Sequence, residues 1–331
     1  MIKAAIIGSG IGLKHFEAIH NFENSKVLII CEKNTAKINL LKKKFPKVKI
    51  VNSYKRILKI DQGINLVSIA SYDEDHYPQL LYFIKKKINI IVEKPMVLKN
   101  EHLEKIIKLK KKYNVEILSN LVLRKVSIFN QIKKIINIDE VYNIEANYLW
   151  GRSEKLSGWR SNTANYSLTL GAAIHMIDLV NWLLEQKPKQ VFSKGNKIVT
   201  KNTNFKKNSI ISYFLTYKNN LTAKITADGV CVHPHFHELR IFEKNKTIFL
   251  DINNRIIIKK KSGTYYKQKI ISDYPDKKNR KKLIQEFISF LKNKKKKKNL
   301  FKFKDQIDLL KICFAADQSL LKKKEIKINY S

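Results

Sequence analysis

Short apolar runs alternate with amphipathic stretches through the first third of the chain. Lys3 to Ile7 reads as a buried strand, Leu13 to Phe22 has helical spacing, Lys26 to Cys31 is a second apolar strand, and a helix is expected from Ala36 to Phe45. Further strands are expected at Val48–Val51, Leu66–Ala70, Asn89–Val92 and Val115–Leu118, with helices at Tyr77–Lys86 and Lys99–Tyr113. Apolar strands that alternate with helices imply a parallel sheet covered on both faces. Right-handed crossovers then make it a doubly wound Rossmann domain.

After about residue 120 the pattern changes. Helices are expected at Ser127–Ile136 and Leu170–Leu184, and Val141–Trp150 alternates as a strand. Strand-like runs follow at Val191–Val199, Ser209–Tyr217, Leu221–Asp228, Glu238–Glu243, Thr247–Ile252 and Arg255–Lys260, joined by turns such as Lys218-Asn219-Asn220 and Asn253-Asn254. Successive strands with short turns predict a large, open, mainly antiparallel sheet. Helices at Lys281–Lys292 and Asp305–Leu321 close the chain. The expected fold is therefore α/β: a Rossmann domain over 1–119, then an α+β domain over 120–331 whose last helix is free to pack back on the first.

Composition fits this picture and narrows it. The 331 residues are 44% hydrophobic, enough to bury two cores. Cys31, Cys231 and Cys313 lie far apart, which suggests neither a disulfide framework nor a zinc knuckle and fits a reducing compartment. The apolar run at the N-terminus stops at Gly8, short for a signal peptide, and no window approaches the ~20 apolar residues of a membrane span. A cytoplasmic protein without membrane contact is expected. The net charge of +38 raises nucleic acid as a partner. The excess is nearly all lysine, however, spread along the chain. The seven arginines, the residues that read phosphate and base edges bidentately, are few. The run Lys294–Lys298 reads as an exposed linker, and no nucleic-acid partner is expected.

Gly8-Ser9-Gly10-Ile11-Gly12 lies between the first strand and the first helix. Glycines there allow the tight turn and let a pyrophosphate approach backbone N–H groups at a helix N-terminus. The spacing is GxGxG rather than GxGxxG, so the motif gains weight from its position and from Glu32 at the tip of the second strand. A carboxylate there accepts from ribose hydroxyls and repels a 2′-phosphate, which favours NAD; Lys33 beside it keeps NADP open. The ordinary alternative is a solvated glutamate. Glu93-Lys94-Pro95 ends the apolar strand Ile90-Ile91-Val92. A lysine at a strand's carboxyl end, partly desolvated beside a nicotinamide, suits acid/base work; alone, it is equally one surface lysine among dozens.

With these residues in register the sequence resembles the Gfo/Idh/MocA oxidoreductases, the family of glucose-fructose oxidoreductase and inositol dehydrogenase. The resemblance rests on the glycine turn leading to His15, on 67–76 (VSIASYDEDH), above all on Ile91-Val92-Glu93-Lys94-Pro95-Met96, and on Trp159-Arg160 and 171–179 (GAAIHMIDL). It implies Lys94 and His175 as catalytic residues. Gly8, Ser9, Gly10, Ile11, Gly12, Glu32, Lys33, Ser71, Tyr72, His76, Glu93 and Lys94 would form the cofactor site. It also implies oligomerisation through the open sheet, as a homodimer or homotetramer. Two departures stand out. Tyr72-Asp73 replaces the Pro-Asn that often precedes the loop histidine, here His76. Gly171 stands where many relatives have an aspartate four residues before the helix histidine. Asp178, a helical turn after His175, is either a substitute or a structural residue.

His175, in an apolar helix, is either a buried core histidine or a substrate contact, and the resemblance favours the contact. His233, His235 and His237 alternate and would share a face on a regular strand; Pro234 interrupts it, no carboxylate or cysteine pattern completes a metal site, and one or two of them, His235 first, are expected toward substrate. Tyr148, Trp150, Arg152, Trp159 and Arg160 are either packing with surface charge or the aromatic faces and guanidinium forks that suit a polyol bearing a carboxylate or phosphate. The expected substrate contacts are Lys94, Tyr148, Arg152, Trp159, Arg160, His175, Asp178 and His235, with no metal. The function expected is NAD-dependent oxidation of a secondary alcohol on a sugar, sugar acid, nucleotide sugar or cyclitol. Its rival is a dinucleotide sensor without turnover on the same fold.

Overall fold

The computed structural model describes residues 1–272, 274, 279–293 and 302–331; the run Lys294–Lys298 lies outside them. The chain divides into two compact units, one of residues 1–122 and 277–306, the other of residues 123–276 and 307–331. A single boundary at 119/120 therefore does not describe it, because a C-terminal segment returns to the first unit.

In the first unit, β1 (Ile2–Ile7), β2 (Ser25–Cys31), β3 (Lys49–Val51), β4 (Leu66–Ile69), β5 (Asn89–Val92) and β6 (Ile117–Ser119) form one sheet in the order β3-β2-β1-β4-β5-β6. Every pair is parallel. The helices α1 (Gly12–His20), α2 (Thr35–Lys44), α3 (Ile57–Ile60), α4 (Asp73–Lys85) and α5 (Asn100–Tyr113) connect them. The chain leaves β1 on one side and returns on the other at β4. The topological switch point, where doubly wound sheets take their ligands, thus lies at the carboxyl ends of β1 and β4. α4 starts four residues before the helix expected from Tyr77. Asp73, Glu74 and Asp75 fill its first turn, where carboxylates complement the helix dipole but leave no apolar period to read. The helix Asn279–Lys292 belongs to this unit: Gln285 donates to the Ala18 carbonyl of α1 at 3.3 Å. Gln306 accepts from the Ser119 amide at 2.6 Å and donates to the Ile117 carbonyl at 3.2 Å, satisfying the edge strand β6.

The second unit contains α6 (Ser127–Ile135), β7 (Val141–Leu149), α7 (Trp159–Asn162), α8 (Ile174–Leu184), β8 (Gln190–Asn196), β9 (Ile210–Thr216), β10 (Thr222–Asp228), β11 (Phe236–Glu243), β12 (Lys246–Leu250), β13 (Arg255–Lys261) and β14 (Thr264–Lys269). Counting Asn279–Lys292 as α9, the chain ends with α10 (Phe303–Lys322) and β15 (Ile326–Lys327). The sheet order is β14-β13-β12-β11-β7-β10-β9-β8-β15. It is antiparallel except at the central pair β7 and β10, which runs parallel. Burial alternates along the central strands: Ala223, Ile225 and Ala227 of β10 face the core, while Thr222 and Lys224 are exposed. The outward face is mixed rather than broadly apolar, since the half-exposed rings of Phe214 and Phe242 share it with Lys224 and an Arg240–Glu145 ion pair of 3.6 Å. The single helix expected over Leu170–Leu184 is a π-helical stretch, Thr169–Ala173, running into α8. Among the described residues, no helix is long and apolar enough to cross a membrane.

Candidate functional site

The glycine turn is shaped as a dinucleotide approach requires. Gly8 sits at φ +86°, and a Cβ there would lie 2.4 Å from the Ala70 carbonyl oxygen, so no side chain fits where β1 meets the loop after β4. At Gly10 a Cβ would meet nothing within 4 Å, leaving the backbone open to an incoming group. Glu32 lies at the tip of β2, as expected. Its Oε2 accepts from the Ser9 amide at 3.0 Å and from the Ser9 hydroxyl, and its Oε1 accepts from the amides of Lys33 and Asn34 at 2.9 and 3.0 Å. Burial alone would push this carboxyl up, but the bonds from Ser9 and Asn34 hold it below the ordinary range, so it is an anion beside the turn. Lys33 reaches outward instead, 3.1 Å from both oxygens of Asp75. Gly8, Ser9, Gly10, Ile11, Gly12 and Glu32 thus fit a dinucleotide: open backbone at a helix start, with a carboxylate at the ribose end.

Lys94 is half-buried just beyond β5, and the Lys94–Pro95 peptide is cis. The residues on both sides of it are held by buried bonds. Glu93 Oε1 is 2.9 Å from His15 Nε2, 2.7 Å from Asn120 Nδ2 and 3.5 Å from Arg280 Nε. A carboxylate only accepts, so His15 Nε2 carries a proton toward Glu93, and its Nδ1 lies 2.6 Å from the Ser68 hydroxyl oxygen. Burial pushes the Glu93 carboxyl up, but the bond and charge of His15, with Arg280 and Asn120, hold it far below the ordinary range. His76 is fully buried, with Nδ1 2.8 Å from the Pro95 carbonyl oxygen and Nε2 3.3 Å from that of Ser71. Glu93 and His76, expected as cofactor contacts, have their polar atoms bonded to protein partners that fix the loops on either side of Lys94. The Ser71 hydroxyl donates to Gln79 at 2.9 Å, and Tyr72 is exposed at the start of α4. His15, Asn120 and Arg280 escaped sequence reasoning as a group, because they converge from distant parts of the chain.

In the second unit three of the expected residues, Tyr148, His175 and His235, come together, with His237 beside them. The Tyr148 ring is stacked on His175 with centroids 5.8 Å apart, and it meets His235 and His237 edge-on at 5.2 and 4.9 Å. The Tyr274 hydroxyl is hydrogen-bonded to His237 Nδ1. Burial and then the nearby Arg152 charge push His235 down to about 4. Burial, His235 and Arg152 push His237 down to about 3, so both imidazoles are neutral. His233 turns away and bonds the Pro234 carbonyl at 2.7 Å, because the regular strand begins only at Phe236. The alternating histidines signalled His237, while nothing in the sequence signalled Tyr274. Arg160 lies over Trp159 and Trp150, 4.4 and 5.1 Å from their ring centroids. Among the described residues, no three His, Cys, Asp or Glu side chains are placed to hold a metal ion.

Two positions differ from expectation. Asp178 is buried and takes both hydrogen bonds of an Arg124 fork, 3.0 Å from Nε and 2.7 Å from Nη2, the geometry of a structural pair rather than an open substrate contact. At Gly171 a Cβ would lie 2.1 Å from the Tyr166 hydroxyl oxygen. The Tyr166 phenol thus occupies the space that a side chain at position 171 would need.

A six-stranded parallel sheet with this glycine turn, joined to an open nine-stranded sheet, defines a class of two-unit, dinucleotide-binding oxidoreductase. Two family models match in tandem: the oxidoreductase family NAD-binding Rossmann fold over residues 2–121, and the GFO/IDH/MocA C-terminal domain over residues 129–249. The chain belongs to the Gfo/Idh/MocA oxidoreductase family, and its first unit is an NAD-binding Rossmann domain. Its fold is similar to that of myo-inositol 2-dehydrogenase from Lactobacillus plantarum, with TM-score 0.84 and 18% identity over 99% of both chains. It is also similar to scyllo-inositol dehydrogenase from Lactobacillus casei, solved with NAD(H) and scyllo-inositol, with TM-score 0.78 and 15% identity over 99% of both chains. In sequence it is 24% identical to YteT of Bacillus subtilis (strain 168), which carries a provisional oxidoreductase name, over 174 residues that cover 46% of this chain and 39% of that protein.

Proposed function

We propose that the protein oxidises a secondary alcohol of a sugar, sugar acid, nucleotide sugar or cyclitol with NAD, or runs the reverse reduction. The observation that carries this reading is the setting of Lys94. It is half-buried past the end of β5, with Glu93 on one side locked to His15, Asn120 and Arg280, and Pro95 on the other bonded through its carbonyl to His76. A network that fixes one lysine so thoroughly suits a group whose position matters to an ångström. The bound nicotinamide would supply the hydride acceptor. Lys94 would take the hydroxyl proton, stabilising the alkoxide as it forms. His175, held by its stack on Tyr148, would present its imidazole to the substrate. The inositol dehydrogenases of like fold support a polyol substrate by analogy only.

The test is NAD reduction by the purified chain across a panel of polyols, followed by Lys94→Met. General acid/base catalysis is worth about 10²–10⁴-fold, so kcat should fall by that order while NAD affinity hardly moves. A near wild-type kcat would remove Lys94 from the mechanism. Tight NAD binding without turnover of any polyol would favour a sensor. The same assay run with NADP checks Glu32, whose charge beside the ribose end should make NAD the preferred coenzyme. We further place the protein in the cytoplasm, for which its three free cysteines are the support. Assembly as a dimer or tetramer through the outward face of the large sheet belongs to the same reading. A monomer by light scattering at micromolar concentration would overturn that part.

A further inference from the structure

The second unit carries a concentration of positive charge that its own residues do not neutralise. The chain's surplus charge is mostly lysine on solvated positions, but two of its seven arginines fall within the nine residues 152–160, with Lys155 between them. Neither arginine is placed casually. Gly151 turns the chain at φ +58°, and a Cβ there would lie 1.8 Å from the His233 carbonyl oxygen, so the backbone before Arg152 is pressed against the segment leading to His235. Arg160 is stacked on two indole rings, and its Nη1 donates to the Lys155 carbonyl at 3.3 Å, which holds its guanidinium plane fixed.

Among the described residues no carboxylate forms an ion pair with these cations, although Glu154 partly offsets the charge at Lys155. Glu154 is the one carboxylate between residues 148 and 167, and among the described residues it makes no ion pair with Arg152, Lys155 or Arg160. The carboxylate of Asp228, whose carbonyl accepts from the Trp150 amide, is turned to its own loop and accepts from the Val230 amide at 2.9 Å. Arg152 is half-buried; its carbonyl accepts from the Lys155 amide at 3.1 Å, and its guanidinium makes no hydrogen bond or ion pair among the described residues. The cations act on one another and on their neighbours: burial and the charges of Arg152 and Arg160 lower the Lys155 ammonium, and Arg152 helps to keep His235 and His237 neutral. A neutral sugar would leave this repulsion in place. An anionic group would relieve it and match the guanidinium fork.

We propose that the substrate is an anionic polyol whose carboxylate or phosphate is received by Arg152, with Lys155 and the indole-stacked Arg160 supplying the surrounding positive charge, while Tyr148 and the neutral histidines meet its carbon face and hydroxyls. The inference rests on the polyol-oxidoreductase reading above and narrows its substrate class. The test uses the full chain with NAD at fixed ionic strength and two matched pairs of probes, D-galactose with D-galacturonate and D-glucose with glucose 6-phosphate. Binding is followed by calorimetry and turnover by NAD reduction. At least one charged probe should bind tenfold or more tightly than its neutral partner, galacturonate marking a carboxylate site and glucose 6-phosphate a phosphate site. Arg152→Gln should cost the charged probe about ten- to a hundredfold in affinity, with little change for the neutral one, and Arg152→Lys should keep part of the preference. Absence of any preference for the charged partner in the wild type overturns the proposal, as does an Arg152→Gln variant that weakens both members of a pair equally. Binding of a charged probe that depends on Arg152 but leads to no NAD reduction upholds the anion site and counts against the oxidoreductase reading. Oxidation of a neutral sugar regardless of Arg152 does the reverse.

Discussion

Glu93 in the first unit and Asp317 in the second are both enclosed carboxylates, yet they are satisfied in opposite ways. Glu93 is met by an imidazole N–H, an amide and a guanidinium, and these hold it far below the ordinary carboxylate range. Asp317 is met by two hydroxyls, Ser167 at 2.7 Å and Thr169, and by no cation among the described residues; burial pushes it up to about 6. The contrast extends beyond these two residues. The first unit also answers Glu32 with four donors and Lys33 with Asp75, while in the second Arg152, Lys155 and Arg160 have no partner carboxylate among the described residues. On the proposed reading, the first unit gains from settling its own charges, because a fixed network positions Lys94 and the glycine turn, and the second gains from leaving some charge for the substrate to complete.

The largest effect is expected where the compensation is densest. Glu93→Gln keeps the shape but removes the charge, leaving Arg280 opposite a neutral amide and His15 without its acceptor anion. Breaking a buried pair typically costs about 3–5 kcal/mol, and a loss near the lower end is expected in urea unfolding. A loss below about 1 kcal/mol would show that the network contributes position without stability, and the contrast with the second unit would weaken. A smaller effect is expected at Gly171→Asp. The new side chain would overlap the Tyr166 hydroxyl, and overpacking of this kind costs about 1–3 kcal/mol. In a Tyr166→Phe background the cost should shrink, because the contact atom is gone; equal costs in both backgrounds would place the strain in the π-helical backbone instead.

Much of the fold was legible because parallel strands buried on both faces read as unbroken apolar runs, and all six strands of the first sheet were anticipated to within two residues. The edge strand β14 was not. All six of its residues are exposed, and its only announcement is the Ser262-Gly263 turn, in which both residues have positive φ. The parallel pairing of β7 with β10 was hidden because strands so far apart in sequence leave no mark of their adjacency. The site divides in the same way. Lys94, His175 and the glycine turn stand in local motifs. Their supports are non-local: His15 and Glu93 are 78 residues apart, and Arg280 comes from a helix that returns near the end of the chain. Helical spacing left Asp178 either a substitute or a structural residue, and it could not show Arg124, 54 residues earlier, whose guanidinium bonds it.

The smallest effect tests the other half of the comparison, whether Asp317 really sits near neutrality. Its folded value of about 6 lies above the ordinary 3.8, so the folded chain holds this proton more tightly than the unfolded chain. Its contribution to stability therefore grows as pH falls through the folded value, and the ionised carboxylate carries its full burial cost above it. His235 and His237 work in the opposite direction. Their folded values of about 4 and about 3 lie below the ordinary 6.5, so their contribution is present at neutral pH and is lost as pH falls through 6.5. A wild-type stability curve mixes the two trends, and the histidines dominate it. The difference between wild type and Asp317→Asn removes them, since both proteins share the histidines. Between about pH 7 and about pH 5.5 the wild type should gain roughly 1 kcal/mol on the variant, measured by urea unfolding at the two values. A gap that stays constant would mean that Asp317 remains ionised throughout. The hydroxyls of Ser167 and Thr169 would then be doing for this carboxylate what a guanidinium and an imidazole do for Glu93, and the two units would not differ in the way their charges suggest.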